Sequence, residues 1–173
     1  MEGIYVVLLS LTSAAIVLVA VVVVLNKLDA RQAREAKVRL ALEQRRVALP
    51  IRLQAYERLA MLLERIAPEA LLLRVSPAGK SAKEYEAELL EQVREEWNHN
   101  LSQQIYVSEE AWARVREARG NIAQFINLCN RDNPDQATGK ELAQMILAAL
   151  LKLETHPGAL AQATLRHEAS ELF

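Results

Sequence analysis

The sequence predicts an all-α protein in which a single N-terminal transmembrane helix continues into a basic stalk, followed by a small cytoplasmic helical bundle. An uncharged apolar run opens the chain, a segment rich in Ala, Arg and Leu follows it, and later segments repeat apolar residues at helical spacing. About four to five helices fit the bundle. The predicted order is an external N-terminus (1–3), a transmembrane helix (4–25), a basic juxtamembrane helical stalk (26–49), a cytoplasmic bundle (50–154) and a C-terminal tail helix (155–173).

The apolar run "IYVVLLSLTSAAIVLVAVVVVL" contains 22 residues, Ile4–Leu25, without a charge. At about 1.5 Å per residue, a helix of this length crosses a hydrocarbon core of about 30 Å. Its many valines are compatible with a helix, because a backbone in lipid must satisfy its own hydrogen bonds. The preceding Met-Glu-Gly lacks the basic start of a signal peptide, so we predict a retained span.

Charge is distributed unequally about this run. The following segment, Asn26–Leu49, carries seven Lys and Arg residues against three acids, whereas Glu2 is the charged residue before the run. The positive-inside rule therefore predicts that the N-terminus lies outside and that residues 26–173 lie in the cytoplasm.

The stalk offers two kinds of contact. Its basic side chains are expected to attract anionic lipid headgroups by about 1 kcal/mol each, although they could equally serve only to fix the topology. The candidate headgroup contacts are Lys27, Arg31, Arg34, Lys37 and Arg39. Residues at 3-4 spacing form a heptad seam, whose small and charged members are unfavourable for a coiled coil. The heptad seam consists of Ala33, Ala36, Leu40, Glu43 and Val47.

Composition limits the class of the remaining domain. From Pro50 onward the chain has fourteen basic and eighteen acidic residues, which does not favour nucleic acid as a partner. One cysteine excludes a disulfide within the chain and suits a reducing compartment. We expect no cofactor.

The first bundle helix is predicted to begin at Pro50, which should end the stalk. Its apolar face is expected to contain Leu53, Tyr56, Leu59, Ala60, Leu63 and Ile66. Residues 69–75 fit a short helix or an extended segment equally well. "GKS" at Gly79–Ser81 does not match a phosphate-binding loop, because Arg74 occupies the position where that motif needs glycine.

Ser81 and Glu84 form a predicted capping box, which begins the next helix. An i, i+4 ladder then runs through Tyr85, Leu89, Val93, Trp97 and Leu101. Glu96 and His99 supply only one of the two Glu-x-x-His pairs that a di-metal helical site requires, so no metal site is predicted.

The polar block "WNHNLSQQIYVSEEAW", residues 97–112, is interpreted as a joint between helices. Amide and hydroxyl side chains suit the unpaired backbone groups at helix ends, and Ser108 can cap a helix beginning near Glu109. Loops on rigid scaffolds often carry binding residues, so this block also supplies a candidate partner-contact surface. Its candidate residues are His99, Asn100, Gln103 and Gln104.

The remaining segments complete the bundle. Cys129 is expected to face the core from the inward face of the helix after Ser108. "NRDNPDQATG" predicts a turn, and Thr138 with Glu141 predicts a second capping box. The following helix, to Glu154, is apolar almost all round and fits either the core or an interface.

Two blocks resemble those of a family of uncharacterised bacterial proteins with one N-terminal membrane helix and a cytoplasmic helical domain. They are "LPIRLQAYERLAMLLERIAP" (Leu49–Pro68) and "HNLSQQIYVSEEAW" (His99–Trp112). The resemblance implies architecture and location, but no activity and no functional residue.

The sequence therefore favours a membrane-anchored cytoplasmic adaptor or accessory subunit of an inner-membrane complex over an enzyme. Expected partners are membrane or membrane-associated proteins, including a second copy of the chain, and anionic lipid headgroups. The alternative is a membrane-tethered enzyme using Glu96 and His99. It lacks a readable nucleophile–base pair, metal set or glycine-rich loop.

Overall fold

The computed structural model contains helices and no β-strand among the residues that it describes. It describes residues 2–131, 133–134 and 136–172, with the side chains of all of these except residues 2, 4–17, 19–20, 22–25, 28–30 and 33. The helices are α1 (Glu2–Ile66), α2 (Pro68–Arg74), α3 (Ala82–Asn100), a 3₁₀ turn (Leu101–Ile105), α4 (Glu109–Arg131), α5 (Gly139–Leu150) and α6 (Ala159–Ser170). Contacts divide the chain into two units, Met1–Ala48 and Leu49–Phe173.

The predicted transmembrane run lies almost wholly outside the described side chains. Between Ile4 and Leu25, only the side chains of Leu18 and Val21 are described, although the backbone there belongs to α1. Among the described residues, no helix provides an apolar stretch long enough to span a bilayer.

Pro50 does not end a helix, contrary to the sequence prediction, but lies within α1. A proline inside a helix removes one backbone hydrogen bond and costs about 3 kcal/mol. The carbonyl group that loses its helical donor belongs to Arg46, four residues before Pro50. Arg46 is exposed, so water can satisfy this carbonyl group.

The hydrophobic core of the second unit combines side chains from all of its helices. From α1 it receives Tyr56, Leu59, Leu62, Leu63 and Ile66. From the later helices it receives Leu71, Tyr85, Leu89, Val93, Trp97, Val115, Ile122, Ile126, Leu142, Ile146 and Leu165. α4 packs against α3, α5 and α6, and α3 also packs against α5. The helical bundle predicted from apolar spacing is therefore present.

Residues 69–75, for which the sequence left two alternatives, are mostly helical. α2 covers Pro68–Arg74, and the chain becomes extended at Val75. Pro68 begins this helix because its fixed φ suits the first turn, where its missing N–H would have no helical partner.

Both predicted capping boxes are confirmed. Ser81 Oγ accepts the Glu84 amide, and Thr138 Oγ1 accepts the Glu141 amide, while each glutamate reaches back to the cap amide. The two caps lie side by side: the Ala82 amide donates to the Ala137 carbonyl, and the Gly139 amide donates to the Lys80 carbonyl, both over 2.8 Å. The starts of α3 and α5 are thereby joined through their backbones.

α5 ends earlier than the sequence predicted. It stops at Leu150: the Leu151 amide still bonds four residues back, to Leu147, but the Lys152 and Leu153 amides bond three residues back. Leu151 is 83% exposed and lies on the same face as exposed Leu147, four residues earlier. Leu142 and Ile146 face the core, whereas Leu147 is exposed, so this helix has one buried side and one exposed side.

Candidate functional site

The polar block between α3 and α4 forms a short joint that several hydrogen bonds hold in place. Asn100 Nδ2 donates to the Glu96 carbonyl over 2.9 Å, which fixes the Asn100 side chain against the last turn of α3. The Ala111 amide donates to Ser108 Oγ over 2.9 Å at the start of α4. From α1, Arg52 Nε donates to the Tyr106 carbonyl over 3.2 Å. The block is therefore a joint, as the sequence predicted.

The four predicted partner-contact residues occupy different environments. His99 and Gln104 are exposed, Asn100 is half-buried, and Gln103 is buried at 8% exposure, with Nε2 donating to Ser102 Oγ. A 3₁₀ turn advances about 120° per residue instead of 100°, so neighbours that look equivalent in the sequence point in different directions.

Apolar side chains that were not among the predicted contact residues are exposed beside these amides. Ile105 is 73% exposed, and Tyr106 and Leu101 are also exposed. Leu101 was expected to continue the buried ladder of α3, and that prediction is wrong because the helix tightens into the 3₁₀ turn at this residue. We call His99, Leu101, Gln104, Ile105 and Tyr106 the joint surface.

Both tryptophans lie beside the joint and stack on each other. The ring centroids of Trp97 and Trp112 are 4.6 Å apart at 27°, and Arg119 Cζ lies 4.6 Å from the Trp97 ring centroid. Stacked aromatic rings of this kind contribute about 0.5–1.5 kcal/mol beyond their burial. The end of α3 and the start of α4 are thus packed rigidly under the joint.

A second polar cluster joins α1, α4 and α6. Glu168 Oε2 accepts the Tyr56 hydroxyl over 2.7 Å, and Glu168 Oε1 accepts the Ser108 hydroxyl over 2.6 Å. Burial, and then the neighbouring Glu168, raise the pKa of Tyr56. An open cavity of about 610 Å³ adjoins the cluster and is also lined by Arg52 and His167. Ser108 both caps α4 and donates to Glu168, so these bonds position helices.

The two residues of the enzyme alternative, Glu96 and His99, have different surroundings. Glu96 Oε1 accepts from Arg65 Nε at 2.7 Å and Nη2 at 2.6 Å, and lies 3.3 Å from Arg74 Nη1. These guanidinium groups direct the carboxylate towards α1 and α2, while His99 is exposed to solvent. Nothing in this arrangement forms a hydrogen-bonded acid–base pair between Glu96 and His99.

The structure also shows the surroundings of the residues considered for metal and lipid binding. Among the described residues, no group of three or more His, Cys, Asp or Glu side chains is arranged to hold a metal ion. The five candidate headgroup contacts of the stalk, Lys27, Arg31, Arg34, Lys37 and Arg39, are all exposed.

The described part of the chain is thus an all-α protein whose bundle presents a rigid, partly apolar joint surface. A model described as a family of unknown function, DUF7935, matches residues 2–172. The chain therefore belongs to this family. The match agrees with the expected uncharacterised family but does not identify the two sequence blocks or a transmembrane helix. Neither the curated proteins nor the solved structures gave a match.

Proposed function

We propose that this chain is a membrane-anchored adaptor or accessory subunit of a bacterial inner-membrane complex, acting through protein–protein contacts. In this proposal residues 4–25 cross the membrane with the N-terminus outside, and residues 26–173 lie in the cytoplasm. The uncharged run of 22 residues and the basic excess immediately after it support this arrangement.

The single observation that carries the proposal is the joint surface. Ile105 is an isoleucine exposed at 73%, yet the joint that carries it is fixed by the Arg52–Tyr106 contact and the tryptophan stack. A preorganised contact loses little conformational freedom on binding, so more of the interaction energy remains as affinity. Apolar side chains beside hydrogen-bonding amides resemble the centre and rim of a protein interface.

The expected partner face has matching chemistry. It provides an apolar pocket for Ile105 and polar groups within reach of Gln104 and His99. Tethering both proteins to one membrane raises their effective concentration, so a modest interface is sufficient. Exposed Lys27, Arg31 and Arg34 support an additional contact with anionic headgroups near the membrane surface.

Co-purification tests the adaptor function. Membranes containing the tagged chain are extracted in mild detergent, and proteins retained with it are quantified by mass spectrometry. We expect stoichiometric companions, and a several-fold loss of these with Ile105→Glu. Leu160→Glu is the matched control, because Leu160 is a large exposed apolar residue on α6 outside the joint surface.

Two results would contradict the adaptor function. One is a solitary, monodisperse protein after gentle extraction, and the other is equal recovery of companions with both variants. Thermal unfolding of each variant, followed by circular dichroism, checks that neither substitution disrupts the bundle.

A further inference from the structure

Acidic side chains border the joint surface. Residues 95–113 contain four glutamates and neither lysine nor arginine. One of the four, Glu96, is directed inward, where Arg65 and Arg74 pair with its carboxylate. The other three are exposed, and we call them the acidic rim: Glu95, Glu109 and Glu110.

The acidic rim borders the joint surface on two sides. Glu95 lies one helical turn before His99, so the two side chains share one face of α3. Glu110 and Arg52 line the same open cavity of about 610 Å³, and Arg52 Nε donates to the Tyr106 carbonyl of the joint. The remaining glutamate of the rim is the first residue of α4. Exposed Leu101, Ile105 and Tyr106 therefore lie between carboxylates.

The chain itself neutralises little of this charge. In the described part of the chain, no member of the acidic rim forms an ion pair with a lysine, arginine or histidine. Glu95 Oε2 accepts from Gln92 Nε2 over 2.9 Å, which is a neutral donor. Arg52 is exposed, whereas Arg119 is half-buried against the Trp97 ring. The start of α4 contributes a partial positive charge of only about half a unit. The rim is therefore net negative.

This negative charge disfavours three occupants of the joint surface. The cytoplasmic leaflet of a membrane is itself negative and repels carboxylates, so insertion of Ile105 into the bilayer is unfavourable. Nucleic acid is repelled for the same reason. A second copy that docks symmetrically through the same surface places one acidic rim against another, and like charges that face each other oppose association. A protein surface of opposite charge meets none of these objections.

We propose that the joint surface binds a basic surface of another protein, on which Lys and Arg residues surround an apolar patch. This rests on the proposed adaptor function, because it takes the joint surface to be the contact. The apolar patch covers Ile105, which is 73% exposed, and the basic groups approach the acidic rim. Exposed ion pairs add little affinity, but complementary charge speeds association and selects the partner.

Site-specific photocrosslinking of the full chain in membranes tests the chemistry of the partner. Benzoylphenylalanine replaces Gln104 in the joint surface or, as the matched control, Gln144 on α5, and both glutamines are exposed. Mass spectrometry then identifies the peptide that is joined to the chain. We expect several-fold more protein product from position 104 than from position 144. The peptide joined at position 104 should contain more Lys and Arg than Asp and Glu.

Charge substitutions test the role of the acidic rim. Glu95→Gln with Glu110→Gln removes two of its charges and should lower the product at position 104 several-fold. Glu43→Gln with Glu154→Gln removes two exposed charges elsewhere and should leave the product unchanged. Circular dichroism checks that the rim variant is folded.

The unsubstituted rim can be tested through salt. Raising the ionic strength from 0.1 M to 1 M shortens the screening length from about 10 Å to 3 Å. The product at position 104 should therefore fall several-fold with the native rim, and by much less with the rim variant.

The outcomes separate this inference from the adaptor function. A product with a neutral or acidic segment of another protein would overturn the basic partner and leave the adaptor function in place. The same holds for a protein product that responds neither to salt nor to the rim substitutions. A product chiefly with lipid or with a second copy of the chain would overturn the basic partner as well. No protein product above the level at position 144 would refute the joint surface as a contact, and both proposals with it.

Discussion

Glu168 connects residues that are far apart in the sequence. Its two carboxylate oxygens accept hydrogen bonds from Tyr56 and Ser108, which lie 112 and 60 residues away. Tyr56 is almost fully buried. A buried hydroxyl without an acceptor costs about 1–3 kcal/mol, so one side chain of α6 has a large effect on how this helix is held.

Replacing Glu168 by Ala should therefore lower the free energy of unfolding by about 1–3 kcal/mol, because both hydroxyl groups lose their acceptor. Urea unfolding of the detergent-solubilised chain, followed by circular dichroism, measures this change. Glu171→Ala, on the exposed end of the same helix, should stay within about 0.5 kcal/mol of the parent. Equal stability of the two variants would show that the Glu168 bonds do not hold α6.

At the scale of elements, the starts of α3 and α5 depend on each other. Gly139 lies where these two starts meet: a Cβ at this residue would lie 2.8 Å from the Pro77 carbonyl oxygen and 3.1 Å from Tyr85 Cβ. The first contact is too short for any side chain, and it involves backbone that cannot rotate away. Glycine is required here by close approach of the backbone, and not by its conformational freedom.

Gly139→Ala is expected to destabilise the bundle by about 1–3 kcal/mol, as overpacking of a core does. Gly120→Ala is the matched control, because a Cβ at Gly120 meets nothing within 4 Å and the residue lies inside α4. Alanine there should stabilise the helix by up to about 1 kcal/mol. Thermal unfolding of the two variants should show shifts of opposite sign, and a shift of the same sign would contradict this account.

The two capping boxes should make stability depend on acid pH. Backbone and hydroxyl hydrogen bonds from Ser81 and Thr138 lower the pKa values of Glu84 and Glu141 below the ordinary 4.5. Because the folded chain binds these protons more weakly than the unfolded chain, the contribution is present above pH 4.5 and is lost as the pH falls through the lowered values.

Glu84→Gln with Glu141→Gln should therefore flatten the decline of unfolding free energy below about pH 4.5, since glutamine does not titrate. Chemical unfolding at a series of pH values measures the decline. Each single variant should remove part of it. If the unfolding free energy of the double variant declined at acid pH as steeply as that of the parent, the two capping glutamates would not be the groups that titrate.

At the scale of the whole molecule, the prediction concerns the orientation of the chain across the membrane. Seven basic residues follow the apolar run. By the positive-inside rule, these residues should keep the bundle on the cytoplasmic side. A C-terminal tag should accordingly resist protease added to spheroplasts and be digested in inside-out vesicles. A tag cleaved in intact spheroplasts would reverse the proposed orientation.

Sequence reasoning succeeded where the physical cause was local. Ser81 and Glu84 are three residues apart, so their reciprocal capping could be recognised without knowledge of the fold, and the buried ladder from Tyr85 to Trp97 follows from helical periodicity. It failed at Leu101, because the tightening of α3 into a 3₁₀ turn depends on packing around the joint. Pro50 was predicted to separate two helices, but it lies inside α1. The helix-forming residues on both sides outweigh the preference of proline for a helix boundary.

The candidate site illustrates the same division. The block around His99 was identified from its composition, but exposure of Ile105 and burial of Gln103 follow from the geometry of the 3₁₀ turn. Pairing of Glu96 with Arg65 and Arg74 required α1, α2 and α3 to meet. No spacing in the sequence encodes that meeting.

The sequence by itself determined the helical class, both capping boxes and the apolar faces, because these depend on residues within a few positions of one another. Only the tertiary structure decided which polar side chains are used internally and which remain at the surface. Glu168 and Glu96 have ordinary local sequences, and their roles arise because folding brings distant hydrogen-bonding groups within about 3 Å of them.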